Sequence, residues 1–154
     1  MSLIGSDLVG EVHAYHMYPL TIIFDRYTGC YSGGKVTVWN TFPENIPDEI
    51  FSDDNTCDYF WLHEAKDCKF KYGVGDTIQE AIDDLYYKES NPWIRINISG
   101  DVWWSLSCLK EMTEDYIDPH FPRYSFTMED ARKVINEYDR KKREHLERKA
   151  KEEL

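Results

Sequence analysis

Apolar positions recur along the chain with two different periods, and the changes between them mark out its elements. Residues 19–27, PLTIIFDRY, are dense in β-branched and aromatic side chains, and residues 35–40, KVTVWN, alternate Val36 and Val38 against Lys35, Thr37 and Trp39. Together they predict two antiparallel strands joined through the glycine segment YTGCYSGG. Prolines and clustered Asp and Asn then make FPENIPDEIFSDDNTCD a wet loop with room for one short helical turn. YFWLHEA and CKFKYG read as a second pair of short strands, after which Gly73 and Gly75 release the chain into DTIQEAIDDLYYK. There Thr77 and Glu80 have the spacing of a capping box, and Ile78, Ala81, Ile82 and Leu85 fall on one helical face.

The second half continues the same logic. NPWIRINIS sets Ile94, Ile96 and Ile98 against Trp93, Arg95 and Asn97, the pattern of a strand ended by Gly100. DVWWSLSCLKEM predicts a helix capped by Ser99 or Asp101, and Thr127 with Asp130 opens a final helix carrying Met128, Ala131, Val134, Ile135 and Tyr138 at helical spacing. Beyond Asp139 only Leu146 and Ala150 remain apolar, so the tail is a solvated helix or a weak self-association segment. The expected fold is α+β: a small antiparallel sheet covered by one helix, with C-terminal helices. The expected division is a flexible N-terminal segment over residues 1–17, a core domain over residues 18–126, and over residues 127–154 a charged helix and candidate oligomerisation element.

Composition narrows what such a domain can do. In 154 residues, 42% hydrophobic and 15% aromatic content is enough for an independent core. The net charge is −11, and it is uneven: residues 128–154 hold nine basic and eight acidic groups, leaving residues 1–127 with nine and twenty-one, or −12. That surface repels duplex nucleic acid and anionic membranes. With no apolar run of membrane-spanning length and no signal-peptide pattern, the expected location is cytoplasmic. Cys30, Cys57, Cys68 and Cys108 lie far apart, which makes reduced thiols the default.

Three constellations carry candidate chemistry. His13, His16, His63, Cys57 and Cys68 offer metal-ligating atoms, but only His13 and His16 are close in sequence, so no metal and no cofactor is expected. The pairs Asp53–Asp54 and Asp83–Asp84 project in diverging directions, Cys57 has an acidic neighbour in Asp58, and no nucleophile, metalloprotease or phosphate-loop motif is present; the expectation is a protein that is not an enzyme. The third is the glycine corner. Gly29, Gly33 and Gly34 would let backbone N–H groups approach an anion, Arg26 and Lys35 add positive charge, and Tyr27, Tyr31 and Trp39 supply rings for a base; Arg95 completes the candidate ligand-binding set. The same residues also suit a plain hairpin with a bulge.

GDTIQEAIDDL resembles the Gly-Asp-Thr-x-x-Glu-Ala helix entry of HicB-type antitoxins, although their Pro-x-x-Pro-Gly-Cys segment is missing and the C-terminal helix resembles no DNA-binding element. A wider pattern, YPLTIIFDRYTGCYSGG, VWN, IPDEI, FW and GDTIQEAIDDL, spans roughly residues 18–90 and is similar to small phage proteins of the anti-Thoeris group. That resemblance implies a sponge that sequesters a small cyclic nucleotide, of cyclic ADP-ribose type, without cutting it; tight capture needs burial, which favours a homo-oligomer with the site closed by a second subunit, or closure by the C-terminal helices. The alternative is an acidic inhibitor, or an immunity- or antitoxin-type module, that covers a basic surface on a host or defence protein.

Overall fold

The computed structural model describes residues 16–97 and 102–152, which fold as α+β. Of the N-terminal segment expected to be flexible, only residues 16 and 17 lie within the described residues. The chain divides into two compact units, Gly10–Lys88 and Met1–Val9 with Glu89–Leu154. The division falls inside the stretch expected to be one core, because the elements after Lys88 build a sheet and helix packing of their own.

In the Gly10–Lys88 unit, β1 (Thr21–Phe24), β2 (Val36–Trp39) and β3 (Tyr72–Gly75) form an antiparallel sheet in the order β1-β2-β3. The register sets Thr21 opposite Trp39 and Phe24 opposite Val36, then Val36 opposite Gly75 and Trp39 opposite Tyr72. β2 is paired on both sides and buried throughout, so its alternating side chains serve two different cores. On one face Trp39 packs with Ile46, Ile50, Phe60 and Ala65. On the other, Val36 and Val38 pack with Ala81, Ile82 and Leu85.

The Trp39 face is closed by a segment expected to be a strand. YFWLHEA is helical: α1 (Asp54–Tyr59) runs into a π turn at Phe60–Glu64 and a 3-10 turn at Ala65–Asp67. Asp53 starts it by accepting a hydrogen bond from the Thr56 N–H at 2.9 Å. A strand would bury Phe60 and Leu62 together, yet Leu62 is 64% exposed while Cys57, Phe60 and Ala65 are buried. The helical period puts Cys57 and Phe60 on one face, and the wider π turn delays the next inward position to Ala65.

The opposite face is covered by α2 (Ile78–Lys88), as the capping box predicts. Thr77 Oγ accepts from the Glu80 N–H at 3.1 Å, and Glu80 Oε2 accepts from the Asp76 N–H at 3.0 Å, one residue upstream of the usual partner. Asp84, one of the adjacent carboxylates with diverging directions, is 3% exposed and structural. Its carboxylate accepts from the Val74 N–H at 2.9 Å and pairs with Lys88 at 2.7 Å, tying α2 to β3.

In the Glu89–Leu154 unit, β4 (Trp93–Asn97) pairs with β5 (Val102–Ser105), with a register shift between Arg95 and Asn97. The first residues of DVWWSLSCLKEM are therefore strand and not helix: Val102, Trp103 and Trp104 are branched or aromatic and pair across β4. The helix begins only at α3 (Leu106–Lys110), where Ser105 accepts from the Cys108 N–H at 3.4 Å. Ile98, Ser99, Gly100 and Asp101 lie outside the described residues. α4 (Met128–Glu152) opens as expected, with Asp130 N–H donating to Thr127 Oγ at 3.1 Å and Thr127 N–H to Asp130 Oδ2 at 3.4 Å. Ala131, Val134 and Tyr138 are buried along it.

Candidate functional site

The glycine corner, residues 25–35, links β1 to β2, and its geometry is set by one carboxylate. Asp25 stands at the end of β1, its N–H donating to the Lys35 carbonyl at 2.8 Å and closing the corner. Its Oδ1 accepts from the Tyr27 N–H at 3.2 Å, and its Oδ2 accepts from the Gly29 N–H at 2.6 Å. The Ser32 hydroxyl lies 2.9 Å from both Asp25 Oδ2 and the Gly34 carbonyl and shares its single proton between them. Short Asp side chains at strand ends readily fold back onto the next few backbone donors, and here that leaves the corner filled by an anion of its own.

The glycines serve this self-contained packing. A Cβ at Gly29 would stand 2.7 Å from the Gly34 carbonyl carbon, and one at Gly34 would stand 2.7 Å from the Gly75 carbonyl oxygen and from Val74 Cγ1. Both distances are far inside van der Waals contact, so at Gly29 and Gly34 backbone meets backbone and the absent side chain leaves no room for a ligand; Gly33 has nothing within 4 Å and is required instead by its φ of +93°.

Of the predicted site residues, Arg26, Tyr27 and Tyr31 come together. The Tyr27 and Tyr31 rings meet edge to face with centroids 5.3 Å apart, and the Arg26 guanidinium lies 5.2 Å from the Tyr27 centroid. Arg26 also donates to the Ser52 carbonyl at 3.2 Å, which accepts a second bond from the Tyr27 hydroxyl at 3.2 Å. Lys35 is exposed at the end of the corner, with its backbone N–H on Asp76 Oδ1 at 3.3 Å. Trp39 does not join them. It is 0% exposed, donates from Nε1 to Thr37 Oγ1 at 2.9 Å, and packs its ring 4.7 Å from Tyr72, so its expected role as a stacking surface is corrected to a core one. Arg95 lies on β4, opposite Trp103, in the other unit. The hollow beside Arg26, lined by Asp25, Ile50, Phe51 and Trp61 among others, has a volume of about 30 Å³. That is room for a water molecule, against the several hundred Å³ of small-ligand sites.

The surroundings are acidic. Residues 44–67 hold eight acidic groups and one basic one. The Tyr27 phenol is pushed above its ordinary pKa, first by burial and then by the Asp54 carboxylate beside it. Tyr31 is raised the same way, by burial, then Asp54, with Cys30 and Asp58 adding smaller contributions. Asp53 is held below the ordinary carboxylate range, chiefly by the Thr56 N–H it accepts. Near these, α1 and its π turn expose Tyr59 and Leu62, and Phe51 just before α1 is exposed as well.

The remaining candidates resolve into structure. Cys57 is fully buried, and burial foremost pushes its thiol pKa up, which leaves it a poor nucleophile. His63 packs against Tyr59, with ring centroids 4.6 Å apart and the planes tilted by 45°. Among the described residues no group of three or more His, Cys, Asp or Glu is placed to hold a metal ion; His13 lies outside them. Sequence reasoning passed over Asp25, although an Asp closing a strand just ahead of a glycine turn is the pattern that would have found it. No helix of the described residues is long and apolar enough to cross a membrane. No protein-family model, curated protein or solved structure matches the chain.

Proposed function

We propose that the Gly10–Lys88 unit is an acidic interaction module that covers a basic surface on a protein partner. The observation that carries this reading is the Asp25 carboxylate seated on the Tyr27 and Gly29 N–H groups, the donors a bound phosphate would need. With those donors engaged and Asp54 and Asp58 beside the tyrosine pair, the corner offers negative charge and the Tyr31 ring, next to a Tyr27 ring that Arg26 already covers, a setting for a further Lys or Arg side chain. Exposed Phe51, Tyr59 and Leu62 add apolar contact area next to the carboxylates. The unbalanced charge of residues 44–67 would steer a cationic partner in from a distance. The competing reading, capture of a cyclic nucleotide by a phage counter-defence protein, loses Trp39 and the Tyr27 and Gly29 N–H groups at this corner and keeps exposed Arg26 and Lys35 with the tyrosine pair.

Calorimetric titration with a short oligo-arginine peptide and, separately, with cyclic ADP-ribose tests both. The peptide is expected to bind with an affinity that falls steeply with salt, and Asp54→Asn with Asp58→Asn to weaken it about 5-fold, as exposed charge pairs are individually modest. Asp83→Asn, on α2, serves as the charge control and should bind like the wild type. Equal weakening by that control, or nucleotide binding that Tyr31→Ala abolishes, would overturn the proposal in favour of bulk charge or of nucleotide capture.

A further inference from the structure

We infer that the outer edge of β1 pairs with β1 of a second copy of this chain, extending the sheet across a two-fold axis. Hydrogen-bonded and non-bonded positions alternate along an antiparallel pair. Asp25 bonds to Lys35, so Ile23 and Thr21 also face β2, leaving the N–H and C=O groups of Ile22 and Phe24 directed away from the sheet. Among the described residues no strand pairs with that edge. Edge strands are usually guarded by charge, proline or a bulge. Here the sequence is Thr-Ile-Ile-Phe, uncharged, in a regular register.

The side chains fit the same partner. By register, Ile22 and Phe24 share the face of Val38 and Val36, yet they are 42% and 69% exposed. Tyr18 and Phe42, in ring contact at the entry to β1, are 77% and 46% exposed. At roughly 150–250 Å² for each large side chain, the four present on the order of 500 Å². Two copies would then bury about 1,000 Å², the lower limit for a specific interface. The phase of the outward groups also fixes the register. With Ile23 on the two-fold axis, Ile22 of each copy lies opposite Phe24 of the other, giving two hydrogen-bonded pairs and two apolar cross-strand contacts. An uncharged strip is moreover where two copies of a chain with net charge −11 meet with least repulsion.

Sedimentation velocity over a wide concentration range tests this, read together with hydrogen exchange. The wild type is expected to dimerise, its weight-average mass rising from one copy toward two as the concentration increases. Added salt should strengthen the dimer by screening like charges, the opposite of its effect on a basic partner. The Ile22 and Phe24 amides should exchange more slowly as the dimer fills, and Phe24→Asp should be monomeric. Ile22→Thr with Phe24→Thr keeps strand propensity and serves if the charged variant does not fold. A wild type that stays monomeric, a dimer that the Phe24 and Ile22 variants leave intact, or a dimer whose Ile22 and Phe24 amides gain no protection overturns the inference.

Discussion

Replacing Asp25 with alanine removes the acceptor from two half-buried backbone N–H groups, those of Tyr27 and Gly29, and from the Ser32 hydroxyl. A hydrogen bond to a charged acceptor contributes about 1.5–3 kcal/mol, and less where water can take its place. The 2.6 Å bond from Gly29 is the shortest of the set and sits where Gly34 crowds the backbone, so it carries most of the loss. The expected cost is about 2–4 kcal/mol, set against a typical domain stability of about 5–15 kcal/mol. In urea unfolding followed by tryptophan fluorescence, that is a midpoint lower by roughly 1–2 M at an unchanged slope. Asp25→Asn keeps one oxygen for the Gly29 N–H but turns an NH₂ toward the other donor, and should fall between. Inorganic phosphate should raise the midpoint of Asp25→Ala, whose donors are vacated, and leave the wild type where it was. A midpoint for Asp25→Ala equal to that of the wild type would show that the carboxylate does not hold the corner, and the account of its filled donors would go with it.

Trp39→Ala empties the centre of a fully buried cluster and should cost about 3–5 kcal/mol, visible as loss of near-ultraviolet circular dichroism and a collapsed urea midpoint. A well-folded variant with a near-native midpoint would place the ring outside the core. Asp53→Ala should lower stability at neutral pH, because Asp53 accepts the Thr56 N–H and its pKa is depressed in the folded state. A depressed carboxylate stabilises above its unfolded value, near 3.8, and loses that contribution as the pH falls through the folded value. The wild-type and Asp53→Ala midpoints should therefore converge in acid; a gap that stays constant there would refute the capping role.

Where local rules and packing agreed, the elements could be read in advance. Thr77 and Glu80 announced α2, Thr127 and Asp130 announced α4, and the apolar alternation of Val36 and Val38 announced β2. YFWLHEA failed because Tyr59, Phe60, Trp61 and Leu62 are apolar without interruption, so the run fits either period. Only the cap at Asp53, seventeen positions after Val36, breaks the tie, and it looks like ordinary loop chemistry until Thr56 is seen to answer it. DVWW failed for a related reason: strand propensity and a nearby helix cap compete, and the cap that wins is Ser105. At the corner, the glycines were visible but their cause was not. Whether Gly34 makes space for a ligand or for Gly75 depends on a pairing made 41 positions away, which no local pattern encodes.

The Asp25 hydrogen bonds also bear on the order in which the chain assembles. The bonds that Asp25 makes join residues at most ten positions apart, whereas the approach of Gly34 to Gly75 spans 41. Loop closure costs about 0.6 kcal/mol for each doubling of the span, so the corner forms roughly 1.2 kcal/mol more cheaply in chain entropy than that later docking. Chain entropy therefore favours aligning β1 with β2 before β3 docks at their edge.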